Sequence, residues 1–163
     1  IITGDVDEPW LTRGAITFLE EFLTPGMDVL EYGCGTSTPW FARRARTVTS
    51  LEHNTDWYQR TLNHLERDLA ENVCLTSLPL DGSYQEAVDN MGMFDLVCVD
   101  GRERCECIRH CRSHVKEGGL LVLDNAERER YQSGLRTWLG EQHWRRWDFH
   151  NGAWLTSIWR RLQ

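Results

Sequence analysis

No apolar run in this chain approaches the ~18 residues that a membrane-spanning helix needs. A helical membrane span is therefore excluded. There is no internal repeat, no low-complexity tract and no linker-like stretch, which excludes a repeat array and domains joined by a flexible tether. Positive charge is not in excess: 18 Lys and Arg face 25 Asp and Glu, for a net charge of −7. A generic nucleic-acid binder carries a basic face, so nucleic acid is not an expected partner. The chain starts at Ile1 rather than Met, which leaves room for an upstream segment; residues 1–5 do not read as a signal peptide.

What is present points to one soluble globular domain over 1–163, with a helical segment at 1–24 and a core at 27–163. The 163 residues are 40% hydrophobic and 26% charged, enough to build a core and too apolar for disorder. The six Cys are even in number, but the chain is too long and core-rich for a disulfide scaffold. Cys34, Cys74 and Cys98 fall in or beside apolar, strand-like segments, and a reduced, cytoplasmic protein is the reading. Of eight Trp, five (Trp138, Trp144, Trp147, Trp154, Trp159) crowd the C-terminal quarter. They mark buried sheet or an association surface, and with it a homo-oligomer through this region.

Short apolar runs alternate with helical periodicity. Residues 12–23 place Ile16, Leu19, Phe22 and Leu23 on one helical face, and Pro25-Gly26 ends it. Residues 27–32 read as a strand that enters a Gly-rich turn, after which Thr38 caps a helix opening at Pro39. A β-branched strand at 47–51 precedes a helix capped by Asn54, with Tyr58, Leu62, Leu65 and Leu69 at helical spacing. A short strand at 73–75 and a short helix with Tyr84, Ala87, Val88 and Met91 inward come next. Strands at 94–99 and 120–123 flank a helix with Ile108, Cys111 and Val115 inward. Tyr131, Leu135, Trp138 and Leu139 mark a last helix, and 143–159 read as a hairpin turning at Asn151-Gly152.

Alternating strands and helices imply a mostly parallel sheet covered on both faces, with an antiparallel addition at the end. Such sheets bind ligands at the carboxyl ends of their strands, which singles out 31–38, 52–54, 77–81, 100–103 and 124–127. In Glu31-Tyr32-Gly33-Cys34-Gly35-Thr36-Ser37-Thr38, a glycine pair lets a ligand lie against backbone at a helix N-terminus. A dinucleotide fingerprint would place Gly at 38, where this chain has Thr. Glu31 would repel phosphate and suits a cationic ligand. Glu52, about 20 residues after the glycines, is placed to accept both hydroxyls of a ribose. The bland alternatives are an ordinary strand-to-helix turn and a solvated loop acid; together the two features favour a nucleoside site.

These stretches resemble a family. Val29-Leu30-Glu31-Tyr32-Gly33-Cys34-Gly35-Thr36-Ser37-Thr38 is similar to the first motif of class I S-adenosylmethionine-dependent methyltransferases, and Ser50-Leu51-Glu52-His53-Asn54 to their ribose-binding acidic loop. Residues 94–101 and 118–125 resemble their fourth and fifth strands. The resemblance spans essentially the whole chain. It implies a Rossmann-like, seven-stranded, mostly parallel sheet with an antiparallel C-terminal hairpin and helices on both faces. It also implies that Gly33, Gly35 and Ser37 cradle the methionine part of the cofactor and that Glu31 sits near its ammonium. Glu52 would bind the ribose, His53 would lie beside the adenosine, and Asp100 would border the site. Many relatives hold adenine with an acid or amide just after the third strand; here that stretch is Ser77-Leu78-Pro79-Leu80, with Asp81 further on.

Asp100, Asp124 and Asn125 end adjacent strands, and two carboxylates with an amide suit Mg²⁺ or another divalent cation. That arrangement resembles the metal site of catechol-type O-methyltransferases, in which the metal lowers the pKa of a substrate hydroxyl. The position that holds a Lys base in that group is Glu103 here, so Asp100 and Glu103 are the candidate catalytic residues. The competing reading has Asp124 and Asn125 capping the following helix, and an Arg such as Arg102 offsetting the carboxylates. In Cys105-Glu106-Cys107-Ile108-Arg109-His110-Cys111-Arg112-Ser113-His114, Cys107, Cys111 and His114 share a helical face, but one helix rarely supplies a closed zinc site. Small apolar Cys in a buried stripe is the better account. Arg128, Arg130, Arg136, Arg145, Arg146, Arg160 and Arg161 make the C-terminal third basic. They read as exposed Arg packed over Trp, or, if clustered, as a surface for an anionic substrate or RNA.

The expected activity is direct methyl transfer from S-adenosylmethionine to an oxygen or nitrogen of a small-molecule acceptor. The alternative is a non-catalytic protein that binds S-adenosylmethionine or S-adenosylhomocysteine and works through association.

Overall fold

In the computed structural model, which describes residues 8–163, two alternating sets of side chains on each strand divide the core in two. The strands are β1 (Asp28–Tyr32), β2 (Thr47–Glu52), β3 (Val73–Ser77), β4 (Phe94–Val99), β5 (Val115–Asp124), β6 (Trp144–His150) and β7 (Leu155–Arg161). They form one sheet of order β3-β2-β1-β4-β5-β7-β6. The first five are mutually parallel, and β7 runs antiparallel between β5 and β6. The expected seven-stranded Rossmann-like sheet with its antiparallel terminal hairpin is what the chain builds.

Val29, Leu96, Leu120, Val122 and Ile158 point to the face covered by α1 (Arg13–Phe22) and α2 (Ser37–Ala42), where Ala15, Ile16, Leu19 and Trp40 are buried. Leu30, Val97, Val99, Leu121 and Leu123 point to the opposite face. There they meet α5 (Arg104–Cys111) and α6 (Glu129–Trp138) through Ile108, Cys111 and Leu135. The period-2 alternation thus buries both faces, as a parallel sheet requires. α3 (Thr55–Arg67) packs beside β2 and β3, and α4 (Ser83–Glu86) precedes β4. Strand order changes direction between β1 and β4, the switch point at which sheets of this type open a ligand crevice.

Local departures from the sequence reading have identifiable causes. α2 opens at Ser37 from Thr36, not at Pro39 from Thr38, because the Thr38 hydroxyl is drawn inward to Glu31. Asn54 does cap α3, accepting from the Asp56 and Trp57 N–H groups at 3.0 Å each. The helix ends at Arg67, and Leu69 takes a left-handed φ of 53° with its side chain in solvent rather than on the packed face. β5 begins at Val115, earlier than expected, and its ladder with β4 shifts register between Phe94 and Leu96, with Gly118-Gly119 inside the strand. Cys74 lies exposed on the edge strand β3, whereas Cys98 is buried. No helix among the described residues is long and apolar enough to cross a membrane. Residues 1–7 of the expected N-terminal segment lie outside the described residues; α1 supplies its helix.

Candidate cofactor site

The first motif builds its turn from the inside. Gly33 adopts a φ of 95°, and a Cβ there would stand 2.7 Å from the Asp100 carbonyl oxygen. Only glycine permits that close approach of β1 and β4. Gly35 has the opposite environment: nothing lies within 4 Å of where its Cβ would be, so its backbone faces open space. Beneath the turn, Glu31 is buried and accepts three hydroxyl donors. Ser37 Oγ donates to Oε2 at 2.7 Å, Ser50 Oγ to Oε1 at 2.8 Å, and Thr38 Oγ1 also donates to Oε1. Desolvation outweighs these hydroxyls and pushes the Glu31 pKa up to about 7.

Glu52, at the end of β2, is also buried, but it reaches the cavity. Its Oε2 accepts from Cys34 N–H at 2.8 Å. Its Oε1 accepts from His53 N–H at 3.0 Å and Asn54 N–H at 2.9 Å. One carboxylate therefore ties the glycine turn to the start of α3 and, with one lone pair unused, lines the cavity. The His53 ring lies beside it, packed edge-on against Tyr84 with centroids 5.7 Å apart.

These strand ends surround a cavity of about 370 Å³, within the range of small-molecule sites. Gly33, Gly35, Ser37, Glu52, His53 and Asp100, all expected at a cofactor site, line it together. Glu31 does not. It lies under the turn, so its reach to a ligand ammonium runs through Ser37 rather than through a carboxylate oxygen at the cavity wall. Asp81, beyond the end of β3, does not line the cavity and accepts from Ser83 N–H at 3.0 Å at the start of α4. Trp10 and Trp57 stand at the mouth, edge to face with centroids 5.9 Å apart. Neither was singled out from sequence; isolated tryptophans 47 positions apart carry no periodic signal.

The ends of β4 and β5 overturn the metal reading. Asp100, Asp124 and Asn125 do converge on the cavity, but a cation already stands among them. The Arg104 guanidinium lies 3.3 Å from Asp100 Oδ1 and 3.3 Å from Asn125 Oδ1, and it donates to the Asp124 carbonyl at 2.6 Å. Its Nε donates to the Gly101 carbonyl at 2.9 Å. Asp124 itself accepts from Thr156 Oγ1 at 2.7 Å, and Thr156 in turn accepts from the Thr12 N–H at 2.9 Å. The donor set is thus spent on a guanidinium and a hydroxyl, and it does not fit a divalent cation. Arg104, rather than Arg102, offsets these carboxylates. Burial still pushes the Asp100 pKa up to about 7 and raises that of Asp124. Glu103, with a left-handed φ of 48°, is exposed and lines the neighbouring cleft rather than the cavity.

The remaining candidates separate cleanly. Cys107 and Cys111 are buried in the core stripe of α5, as read. His114 lies beyond that helix in a short turn, its Nδ1 2.9 Å from the Gly92 carbonyl, and His110 faces Asp89. Arg145 and Arg146 do pack over Trp147 and Trp159, at 4.9 and 4.8 Å from the ring centroids. Arg128 and Arg130 do not; they gather on Tyr131.

The fold is that of the class I S-adenosylmethionine-dependent methyltransferases. Over 114 residues, 67% of this chain, it is 36% identical to the probable cobalt-precorrin-6B C(15)-methyltransferase (decarboxylating) of Methanobrevibacter smithii, and it spans 59% of that protein's length. A Streptococcus mutans chain assigned as a methyltransferase, solved in complex with SAH, superposes with a TM-score of 0.73 at 15% identity, covering 90% of this chain and 94% of that one. The precorrin 8W decarboxylase of Methanobacterium thermoautotrophicum gives 0.68 at 21% identity, covering 90% and 87%. No protein-family profile matches the chain.

Proposed function

We propose that this chain binds S-adenosylmethionine and transfers its methyl group to an oxygen or nitrogen of a small-molecule acceptor. One observation carries the reading: Gly33, Gly35 and Glu52, from two neighbouring strand ends, face a single cavity at the switch point of the sheet. Gly35 leaves room against its backbone that any side chain would fill. When bound, the cofactor supplies an electrophilic methyl on a positively charged sulfur.

Glu52 offers its one free lone pair to a ribose hydroxyl, with His53 beside the adenosine. The glycine turn supports the methionine part, held in place from below by Glu31 through Ser37 and Thr38. The Glu52 carboxylate at the cavity wall favours a cationic ligand over a pyrophosphate. Asp100, with a pKa near 7, can accept the proton that an O–H or N–H acceptor loses as it attacks. Most of the remaining barrier is lowered by alignment in a desolvated pocket. Arg104 occupies the place a divalent cation would need, so the transfer is read as metal-independent. The named C(15)-methyltransferase relative makes carbon the competing acceptor atom.

Calorimetric titration with S-adenosylmethionine, S-adenosylhomocysteine and NAD, in chelator, tests the reading. One S-adenosylhomocysteine per chain and no NAD binding is expected. NAD binding without S-adenosylhomocysteine binding would replace the proposal with a dinucleotide site.

A further inference from the structure

A second cleft adjoins the cofactor cavity and shares Trp10, Trp57 and Arg104 with it. Its far wall is formed by Arg128, Arg130 and Tyr131, where α6 begins. Tyr131 is buried, and its hydroxyl accepts from Arg128 Nη1 at 3.4 Å and from Arg130 Nη2 at 3.3 Å. The Arg130 guanidinium also lies over the Tyr131 ring, 5.1 Å from its centroid. Two cations thus converge on one neutral oxygen, within two hydrogen-bond lengths of each other.

Neither arginine has an ion-pair partner among the described residues, although Asp100 feels the charge of Arg128. In this acidic chain Arg13, Arg46, Arg104, Arg109 and Arg146 each have a carboxylate partner. Of the neighbouring acids, Glu103 and Glu106 line the same cleft without forming an ion pair with either arginine. Glu127 accepts from Leu155 N–H at 3.1 Å, Glu106 pairs with Arg109, and Glu129 does not line the cleft. α6, ten residues long, opens here without a side-chain cap, which adds positive potential from its first N–H groups. Paired guanidiniums with free forks are built to receive a carboxylate or a phosphate, and such an anion would relieve their mutual repulsion.

We propose that Arg128 and Arg130 form the acceptor-docking site, and that the acceptor carries an anionic oxygen group, carboxylate or phosphate, bound there. This rests on the reading of the adjoining cavity as the S-adenosylmethionine site. It sets the orientation of the acceptor: anionic end on α6, reactive end toward Asp100 in the adjoining cavity, and an apolar face against Trp10 and Trp57.

The test titrates citrate and, separately, inorganic phosphate into protein saturated with S-adenosylhomocysteine, at low ionic strength, by calorimetry and tryptophan fluorescence. Saturable binding is expected, weakened at least tenfold in Arg128→Gln/Arg130→Gln and unchanged in Arg145→Gln, an arginine on β6 away from the cleft. Tighter citrate binding identifies a carboxylate-bearing acceptor, and tighter phosphate binding a phosphorylated one. S-adenosylhomocysteine affinity within twofold of wild type certifies that the double variant is folded. Binding of neither anion, or equal binding to the double variant, overturns the proposal. If S-adenosylhomocysteine itself fails to bind, the cofactor reading falls, while the same anion titrations on the protein alone still decide the arginine site.

Discussion

The carboxyl edge of the sheet has two halves that solve one problem differently. On the β1–β2 side, buried Glu31 and Glu52 are satisfied by neutral donors: three hydroxyls for one, three backbone N–H groups for the other. On the β4–β5 side, Asp100 and Asp124 are satisfied by the Arg104 charge and by a hydroxyl relay from β7 to α1. The first half presents the Glu52 carboxylate to the cavity, as a cationic ligand requires, and keeps Glu31 beneath the turn with its pKa raised. The second is held close to neutral. The same residue types therefore serve ligand binding in one place and framework in the other, and only the partners distinguish them.

Removing Arg104 breaks that contrast most severely. Arg104→Ala leaves Asp100, the Asp124 carbonyl and Asn125 without their shared donor and should cost about 3 kcal/mol of stability. Arg104→Lys should recover less than half, because one ammonium cannot reproduce the fork. In denaturant unfolding, millimolar Mg²⁺ should leave the wild type unmoved and stabilise only Arg104→Ala. A wild-type protein stabilised by Mg²⁺ would restore the metal reading.

Titration sharpens the comparison next. The folded pKa of Glu31, about 7, lies above its ordinary value of 4.5, so the folded state holds this proton more tightly. The associated stability is fully present below about pH 4.5 and is lost as pH rises through 7. Glu31→Gln should remove that slope, gaining on the order of 1–3 kcal/mol relative to wild type at pH 8 compared with pH 5. Equal wild-type and variant slopes would mean that the hydroxyls, not burial, control Glu31.

Thr156→Val should have the smallest effect. It removes the donor to Asp124 Oδ1 and the acceptor for the Thr12 N–H, and should lower stability by about 1–2 kcal/mol. Hydrogen exchange at the start of α1 should accelerate in parallel; unchanged protection there would dissolve the relay.

What could be read from sequence follows the same division. Glu31 and the glycine turn, and Glu52 with His53 and Asn54, lie close together in sequence, so motif spacing marks them as a site, although not the bond from Thr38 to Glu31. Arg104 meets Asn125 from 21 positions away, Thr156 meets Asp124 from 32, and Thr12 meets Thr156 from 144. No local pattern encodes such pairs, and three oxygen ligands at adjacent strand ends were read as a cation site whose cation turned out to be a side chain. The sheet itself was legible because its alternating apolar runs carry the topology. The ends of α2, α3 and β5 were not, because a buried hydroxyl, a left-handed leucine and a register shift decide them.

We propose above all that Glu52 faces a bound nucleoside. Calorimetric titration of S-adenosylhomocysteine into wild type and Glu52→Gln, with cooperative melting checked for both, tests it most directly. One site per wild-type chain is expected, with affinity weakened at least tenfold in the variant, as a charged acceptor is lost from the ribose. Unchanged affinity in a cooperatively folded Glu52→Gln would contradict it.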